Sequence, residues 1–442
     1  MSVGMSGSSS NFFTVRNARL PTTTTSPSLV DVTCDPSTGL IASITSSSSS
    51  PNTSPSPSDL DASGSIVIPP LCHPHLHLDK CFLLDRCAMV DGGFAEAMSL
   101  TSSAKALFTT EDLLQRGHRL VKESIAHGVL TLRAHVEVDT TVGLICLEAG
   151  VELKRFYTDV CDIQIAVFAQ DPIFSRSPTE RDQMLRLLGE AAGMEGVDCV
   201  GSAPYVDRGH EGENIEFIVE LARRNGLMLD FHIDYDINPD TPSNIPSILT
   251  HLLDIPPEER PHTTLGHATK LSAYPASDLA SLVHTIATHA LPVHFVALPT
   301  SDTYILGQTL HAPEIVAAGF GVCLGVNNVQ NPFTPMGCAD PMSLLPFCVN
   351  LWQSATSSRA ELLMEMLSTR AVRAIGRGPG SGDEVGMGLR EYFTVGREAS
   401  FVVLHGVESL VEGACAAPGG ERSVVRKGNI VGRRRVEMWV RV

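Results

Sequence analysis

Eight short apolar runs, most of them separated by helix-like segments, constrain the fold of this 442-residue chain more than any other feature. The runs are rich in Val, Ile and Leu, as expected for strands that are buried on both faces. They span 66–77, 129–137, 163–169, 199–203, 228–233, 263–267, 292–298 and 321–327. Because strands that alternate with helices form parallel sheets, eight such units predict an α/β fold of the (β/α)8 TIM-barrel type.

The segments between these runs have helical periodicity. The clearest one spans 111–127, where Thr109 or Thr110 can cap the start, one face is apolar, and Gly128 can end the helix. Similar patterns predict helices at 180–192, 215–225, 245–253, 278–290 and 359–375.

Short strand-like runs return at both ends of the chain. They lie at 11–20, 28–34 and 39–44, and again at 400–404, 423–426 and 429–434. Ser/Thr/Pro tracts separate the N-terminal runs and are expected to be surface loops, and residues 1–10 are predicted to form a disordered tail.

Charge and cysteine content exclude several classes of protein. The formal net charge of −17 argues against nucleic acid and anionic membranes as partners, since both need a basic surface. No apolar run approaches the ~18 residues of a membrane span, and the N-terminus lacks the pattern of a signal peptide. Eleven scattered cysteines fit a reducing compartment, so we expect a cytoplasmic protein.

The first run ends in a cluster of histidines. Side chains two residues apart on a strand share a face, so His75 and His77 are expected to project together. Two imidazoles that are held side by side on a strand can form half of a divalent metal site.

Polar side chains also end most of the other runs. Because function in such barrels sits at the C-terminal ends of the strands, these side chains are candidate site residues. The alternation of the strands further predicts that His232 and Asp234 share one face. The candidates are His135, Glu137, Asp139, Gln170, His232, Asp234, His267, Asn327 and Asn328.

The segment PPLCHPHLHLDK resembles the first-strand motif of the amidohydrolase superfamily, most closely its cytosine deaminase branch. RAHVEV, FAQDPI and NPFTPMG resemble further segments of that family. The resemblance implies a barrel at 69–394 and a small β-sandwich formed by 11–68 together with 395–442. By analogy with the family, an assembly of identical chains is also expected.

The resemblance also assigns roles within the site. His75, His77 and His232 match the metal ligands, and the cofactor is expected to be one divalent ion, zinc or iron. His267 matches a histidine that assists the water bound to the metal. Gln170 matches a glutamine that reads the substrate, and His135 and Tyr235 are placed beside it as substrate-binding residues, with a structural role for His135 as the simpler interpretation.

Two positions depart from the family pattern. Tyr235 stands where a glutamate is usual, and Asn327 and Asn328 replace a pair of aspartates. Three interpretations remain open: Asp234 serves as a substitute base, with Asn327 completing the catalytic pocket; the metal site catalyses a reaction that needs less proton transfer; or the barrel only binds a small molecule.

The resulting hypothesis is a metal-dependent hydrolase of the amidohydrolase type. It would break a C–N bond of a small nitrogen heterocycle or cyclic amide by means of a metal-activated water. The alternative is a catalytically altered or inactive protein of the same fold, because both of the usual proton carriers are replaced.

Overall fold

The computed structural model describes residues 12–21, 28–47, 59–377, 388–416 and 419–436. The predicted disordered tail and most of the Ser/Thr/Pro tracts lie outside these residues. Five strands come first in the chain: β1 (Phe13–Ala18), β2 (Val30–Asp35), β3 (Leu40–Ser46), β4 (Leu60–Asp61) and β5 (Ile66–Ile68). The first four form one sheet in the order β3-β2-β1-β4.

Eight parallel strands then form a central sheet in which each strand pairs with its neighbour in sequence. They are β6 (Leu71–His77), β7 (Val129–Glu137), β8 (Asp162–Ala169), β9 (Val197–Ser202), β10 (Met228–Ile233), β11 (Thr263–His267), β12 (Val293–Ala297) and β13 (Val322–Leu324). The two edges meet at Asn327, whose carbonyl accepts a 2.9 Å hydrogen bond from the His77 amide. The predicted TIM-barrel fold is therefore confirmed.

The remaining strands are β14 (Phe401–Leu404), β15 (Arg422–Arg426) and β16 (Asn429–Arg434). They form a second small sheet in the order β16-β15-β14-β5. The prediction of one continuous strand over 66–77 is therefore wrong, because β5 and β6 belong to different sheets. Pro69 and Pro70 lie between them, and neither residue has the N–H that would continue a ladder.

Helices lie between the barrel strands and also follow β13 along the chain. They are α1 (Phe94–Lys105), α2 (Thr110–Ala126), α3 (Ile145–Phe156), α4 (Pro178–Ala192), α5 (Glu211–Asn225), α6 (Ile245–Leu253), α7 (Ala276–Thr288), α8 (Pro299–Leu306), α9 (Ala312–Ala317), α10 (Leu344–Leu351), α11 (Ser357–Leu367), α12 (Thr369–Ala374), α13 (Leu389–Tyr392) and α14 (Leu410–Cys415). As predicted, Thr109 caps α2, where its side chain accepts a hydrogen bond from the Asp112 amide. The single helix predicted at 359–375 is wrong, because Ser368 (φ −129°, ψ −99°) leaves the helical region and separates α11 from α12.

The two small sheets share one hydrophobic core, which includes Phe13 and Val32 from the first sheet and Phe401 and Val425 from the second. A separate and larger core surrounds the barrel. The domain boundaries at 68–69 and 394–395 stay a prediction. None of the helices in the described ranges is both long enough and apolar enough to cross a membrane.

Candidate active site

A cavity opens at the C-terminal ends of the barrel strands. The polar residues that line it are His77, Lys80, Gln170, His232, His267, Asp302, Asn327 and Asn328. The aromatic and aliphatic lining residues are Phe94, Tyr205, Tyr235, Ile305, Leu306 and Phe333. Seven predicted site residues, Asn328 among them, thus face one space, whereas His75, His135, Glu137, Asp139 and Asp234 are not among its lining residues.

Three histidines from two strands converge beneath this cavity. His75 and His77 come from β6, and His232 comes from β10. The Nε2 atom of His232 lies 2.9 Å from Nε2 of His75 and 3.0 Å from Nε2 of His77. Phe168 stacks on the His232 ring with 4.0 Å between the ring centroids, which fixes the ring plane.

The environment keeps these imidazoles neutral. Burial, followed by the neighbouring histidines and cationic groups, lowers the pKa of His75, His77 and His232 well below its ordinary value. A neutral imidazole is the form that binds a metal, and these three convergent nitrogens could hold a divalent ion. The residues therefore fit the predicted cofactor.

Asp230 lies under the histidine cluster and was not predicted as a site residue. Its Oδ1 lies 3.6 Å from Nδ1 of His75 and 3.1 Å from Nε2 of His135, and its Oδ2 accepts a 2.9 Å hydrogen bond from Arg133. Asp230 therefore places a buried negative charge next to the imidazoles. The available signal was the spacing of Asp230 and His232, two residues apart on β10.

His135 is fully buried between His75 and Asp230. Its ring centroid is 4.2 Å from that of His75. This position favours a supporting role under the ligands, the simpler interpretation of the sequence, over direct contact with a substrate.

His267 and Asp302 form a pair in the lining of the cavity. Nδ1 of His267 lies 2.5 Å from Oδ1 of Asp302, and the His267 ring centroid is 5.6 Å from that of His232. Asp302 was missed because it lies in the first turn of α8, where acidic residues commonly stabilise a helix start.

Asn327 follows β13 and lies beside the two histidines of β6. Its backbone N–H donates a hydrogen bond to the His75 carbonyl at 3.2 Å, and its side-chain Nδ2 donates one to Ser301 Oγ at 2.8 Å. Among the described residues, its buried Oδ1 has no hydrogen-bond partner. A carbonyl oxygen is thus left available at the floor of the cavity.

Asp234 does not share the face of His232, so this part of the sequence interpretation is wrong. Its backbone is left-handed (φ 51°), which turns the chain away from the alternation of β10. Its carboxylate instead accepts hydrogen bonds from the Ser243 hydroxyl and, at 2.9 Å, from the Asn244 amide. These contacts anchor the loop before α6.

The upper cavity combines amide, ammonium and aromatic groups. Lys80 Nζ lies 2.7 Å from Glu137 Oε1 and 3.4 Å from Gln170 Oε1. Tyr235 packs edge-on against Tyr205, with 4.8 Å between the ring centroids, and burial raises its pKa. Lys80 was not predicted, although it follows the histidine motif directly in HLDK.

The chain is similar to several characterised proteins, although no family model matches it. It is 22% identical over 338 residues to N-isopropylammelide isopropyl amidohydrolase of Pseudomonas sp. strain ADP, covering 74% of this chain and 79% of the relative. It is 24% identical over 305 residues to pterin deaminase of Rhizobium rhizogenes, covering 66% of each chain.

The fold is similar to that of 5-methylcytosine deaminase from Klebsiella pneumoniae in complex with 5-fluorocytosine. The TM-score is 0.80 at 22% identity, with 97% of this chain and 99% of that chain covered. These findings confirm the resemblance to the cytosine deaminase-like amidohydrolases that the sequence motifs indicate.

Proposed function

We propose that this chain, which resembles the cytosine deaminase-like amidohydrolases in sequence and fold, is a metal-dependent hydrolase. It breaks a C–N bond of a small nitrogen heterocycle or cyclic amide. The observation that carries the proposal is the convergence of the Nε2 atoms of His75, His77 and His232 at the floor of a cavity.

We propose that these three histidines hold one divalent ion, zinc or iron. Their burial supports this assignment, because neutral and desolvated imidazoles gain from binding a cation. Such an ion lowers the pKa of a coordinated water toward ~7 and so supplies a nucleophile at neutral pH. Asp230 and His135 support the ligands from below.

We propose a flat heterocycle as the substrate. Four aromatic rings, those of Phe94, Tyr205, Tyr235 and Phe333, stand on the walls of the cavity. Gln170 and Asn328 bring amide groups that can both donate to and accept from ring nitrogens and carbonyls. The names of the relatives, which include an ammelide amidohydrolase and a pterin deaminase, favour hydrolysis over the inactive alternative.

We further propose that the protein works in the cytoplasm on a small molecule and binds neither nucleic acid nor membranes. Its net charge of −17 and its eleven free cysteines support this setting. Self-assembly stays an expectation by analogy with the family.

A substrate screen tests the proposed reaction. The purified protein is incubated with a panel of aminopyrimidines, aminotriazines, pterins and cyclic amides, and ammonia, released amines and ring-opened products are measured. Turnover should disappear on treatment with a chelator and return when zinc or iron is added back. Turnover that survives complete removal of the metal, or no turnover across the panel by metal-loaded protein, would contradict the proposal.

A further inference from the structure

Asp302 is a buried carboxylate with an unusual position in the cavity. It is 2% exposed, and it is the one acidic side chain among the described residues that line the cavity. Its Oδ1 lies 2.5 Å from His267 Nδ1, and its Oδ2 accepts a 2.9 Å hydrogen bond from Thr309 Oγ1. His267 is its one ion-pair partner within the part of the chain that the structure describes.

This contact decides which nitrogen of His267 faces the reaction. An ionised carboxylate only accepts hydrogen bonds, so Nδ1 of His267 must carry the hydrogen. Nε2 is then left with its lone pair, and it has no hydrogen-bond partner among the described residues. Because the His267 ring lines the cavity beside His232, this lone pair is available to the reacting groups.

Two positions where related proteins carry a carboxylate hold other residues here, and two nearby carboxylates are bound to other partners. Position 235 is a tyrosine and position 327 is an asparagine. Asp234 is held by Ser243 and Asn244 in the loop before α6. Glu137 is paired with Lys80 and Lys105. Asp302 is therefore the carboxylate that remains in contact with a cavity histidine.

We propose that Asp302 is the positioning residue for proton transfer in this enzyme, and that the His267–Asp302 pair performs the work of the carboxylates missing at positions 235 and 327. The proposal rests on the proposed hydrolytic function. Asp302 acts through His267, whose ring orientation and tautomer it fixes.

The proton balance of the step is simple for an amidine substrate. As the water oxygen bonds to the ring carbon, His267 Nε2 takes one water proton and passes it to the adjacent ring nitrogen. Nε2 then moves the remaining hydroxyl proton to the exocyclic amine. The C–N bond breaks with its electron pair on nitrogen, so ammonia leaves, a carbonyl forms and His267 returns to its starting state.

The test compares Asp302→Asn with Asp302→Glu and Asp302→Ala in metal-loaded protein. We expect Asp302→Asn to lower kcat by about 10²–10⁴-fold, the usual contribution of general acid–base catalysis, with the KM nearly unchanged. Metal content should stay at the wild-type level. Asp302→Glu, which keeps the acceptor, should recover part of the lost kcat.

Asp234→Asn provides the matched control, because it neutralises a buried carboxylate that follows another barrel strand, β10. Its loop contacts are structural, so its effect on kcat should be at least about tenfold smaller than that of Asp302→Asn. An equal effect at the two positions would overturn the proposal. A parallel loss of metal and kcat in Asp302→Asn would also overturn it, because Asp302 would then support the metal site.

A second readout does not depend on turnover. Nitrogen-15 NMR of histidine-labelled protein reports which His267 nitrogen carries the hydrogen. We expect the Nδ1–H form in the wild type and its loss in Asp302→Ala. An unchanged tautomer in Asp302→Ala would overturn the pairing, whereas absent turnover in wild-type protein that shows the expected tautomers would overturn only the proposed function.

Discussion

Three residues at the ends of the barrel strands have left-handed backbones: Asp234 (φ 51°), His267 (φ 68°) and Asn327 (φ 65°). Asp, Asn and His occur in this region more often than other non-glycine residues, and such strain, of about 1–3 kcal/mol each, concentrates at functional sites. At each position the chain leaves its strand and turns across the mouth of the barrel. These backbones decide which side chains reach the cavity and which are turned away.

Asn327→Asp tests the role of the unpartnered amide oxygen at the floor of the cavity. Aspartate also tolerates a left-handed backbone, so the fold should be kept. A carboxylate beside His75 and His77 should strengthen binding of a divalent cation, and we expect at least about tenfold slower loss of metal to a competing chelator. Unchanged or faster loss would show that Oδ1 does not face the ion.

The sequence could predict the histidines but not their partners. His75, His77, His232 and His267 stand at strand ends, where side-chain alternation and the family resemblance both apply. Asp234 was misplaced because alternation fails once the chain becomes left-handed. Asp302 was missed because a first-turn aspartate commonly serves the helix itself, and its contact with His267 joins residues 35 positions apart.

The short helix α12 closes the N-terminal end of the barrel. The Ile375 carbonyl accepts hydrogen bonds from Arg133 at 3.1 Å and from Gln164 at 2.9 Å, and the Ala374 carbonyl accepts one from Thr264 at 2.8 Å. Barrel side chains thus satisfy carbonyls that a helix end leaves free. Arg133 also pairs with Asp230, so this closure is connected to the support of His75.

Arg133→Met tests how much the Arg133–Asp230 ion pair contributes to the stability of the fold. The change leaves the Asp230 carboxylate buried without its cation, which typically costs about 3–5 kcal/mol. We expect that loss in the free energy of unfolding, measured by chemical denaturation, and Asp230→Asn in the same chain should restore part of it. Arg224→Met, which removes an exposed pair with Glu220, should have a far smaller effect. Equal effects of the two arginine changes would contradict this assignment.

The break between α11 and α12 could not be predicted from the sequence. The run 359–375 has helical periodicity throughout, and neither proline nor glycine interrupts it before Gly376. The helix stops at Ser368, after which α12 packs against β6, β12 and β13. Tertiary packing therefore overrides local preference, which a single sequence does not reveal.

At the scale of the whole molecule, ion pairs attach the second small sheet, β16-β15-β14-β5, to the barrel. Arg422 on β15 contacts Asp340 at 2.7 Å, and Arg426 contacts Asp162 on β8 at 3.1 Å. The small sheets were predictable as strand-rich ends of the chain and from the family resemblance. These attachments were not predictable, because each joins residues that are far apart in sequence.

Buried histidines at the N-terminal end of the barrel should make stability depend on pH. Burial lowers the pKa of His262 to about 4 and that of His294 to about 3, whereas the histidines of an unfolded chain have an ordinary pKa of about 6.5. Between these values the unfolded chain binds more protons than the folded protein. The free energy of unfolding should therefore fall as the pH is lowered from about 6.5 toward about 4.

The change in the free energy of unfolding per pH unit should become smaller in His262→Gln. The reduction should be at most about 1.4 kcal/mol per pH unit, the limit for one proton. Denaturation of the wild type and the variant at several pH values measures it. Because His262 and His294 stack, with 4.9 Å between their centroids, adding His294→Gln should flatten the slope further. A slope that neither change affects would contradict the assigned cause.

Metal stoichiometry in crystals and in solution tests most directly whether His75, His77 and His232 hold one divalent ion. Elemental analysis should find one zinc or iron per wild-type chain, and anomalous diffraction should place it against the three Nε2 atoms. His77→Ala should lose the ion, whereas His118→Ala, which alters a histidine on α2 bonded to Tyr157, should keep it. A full complement of metal in His77→Ala, or an ion bound elsewhere in the wild type, would contradict the assignment.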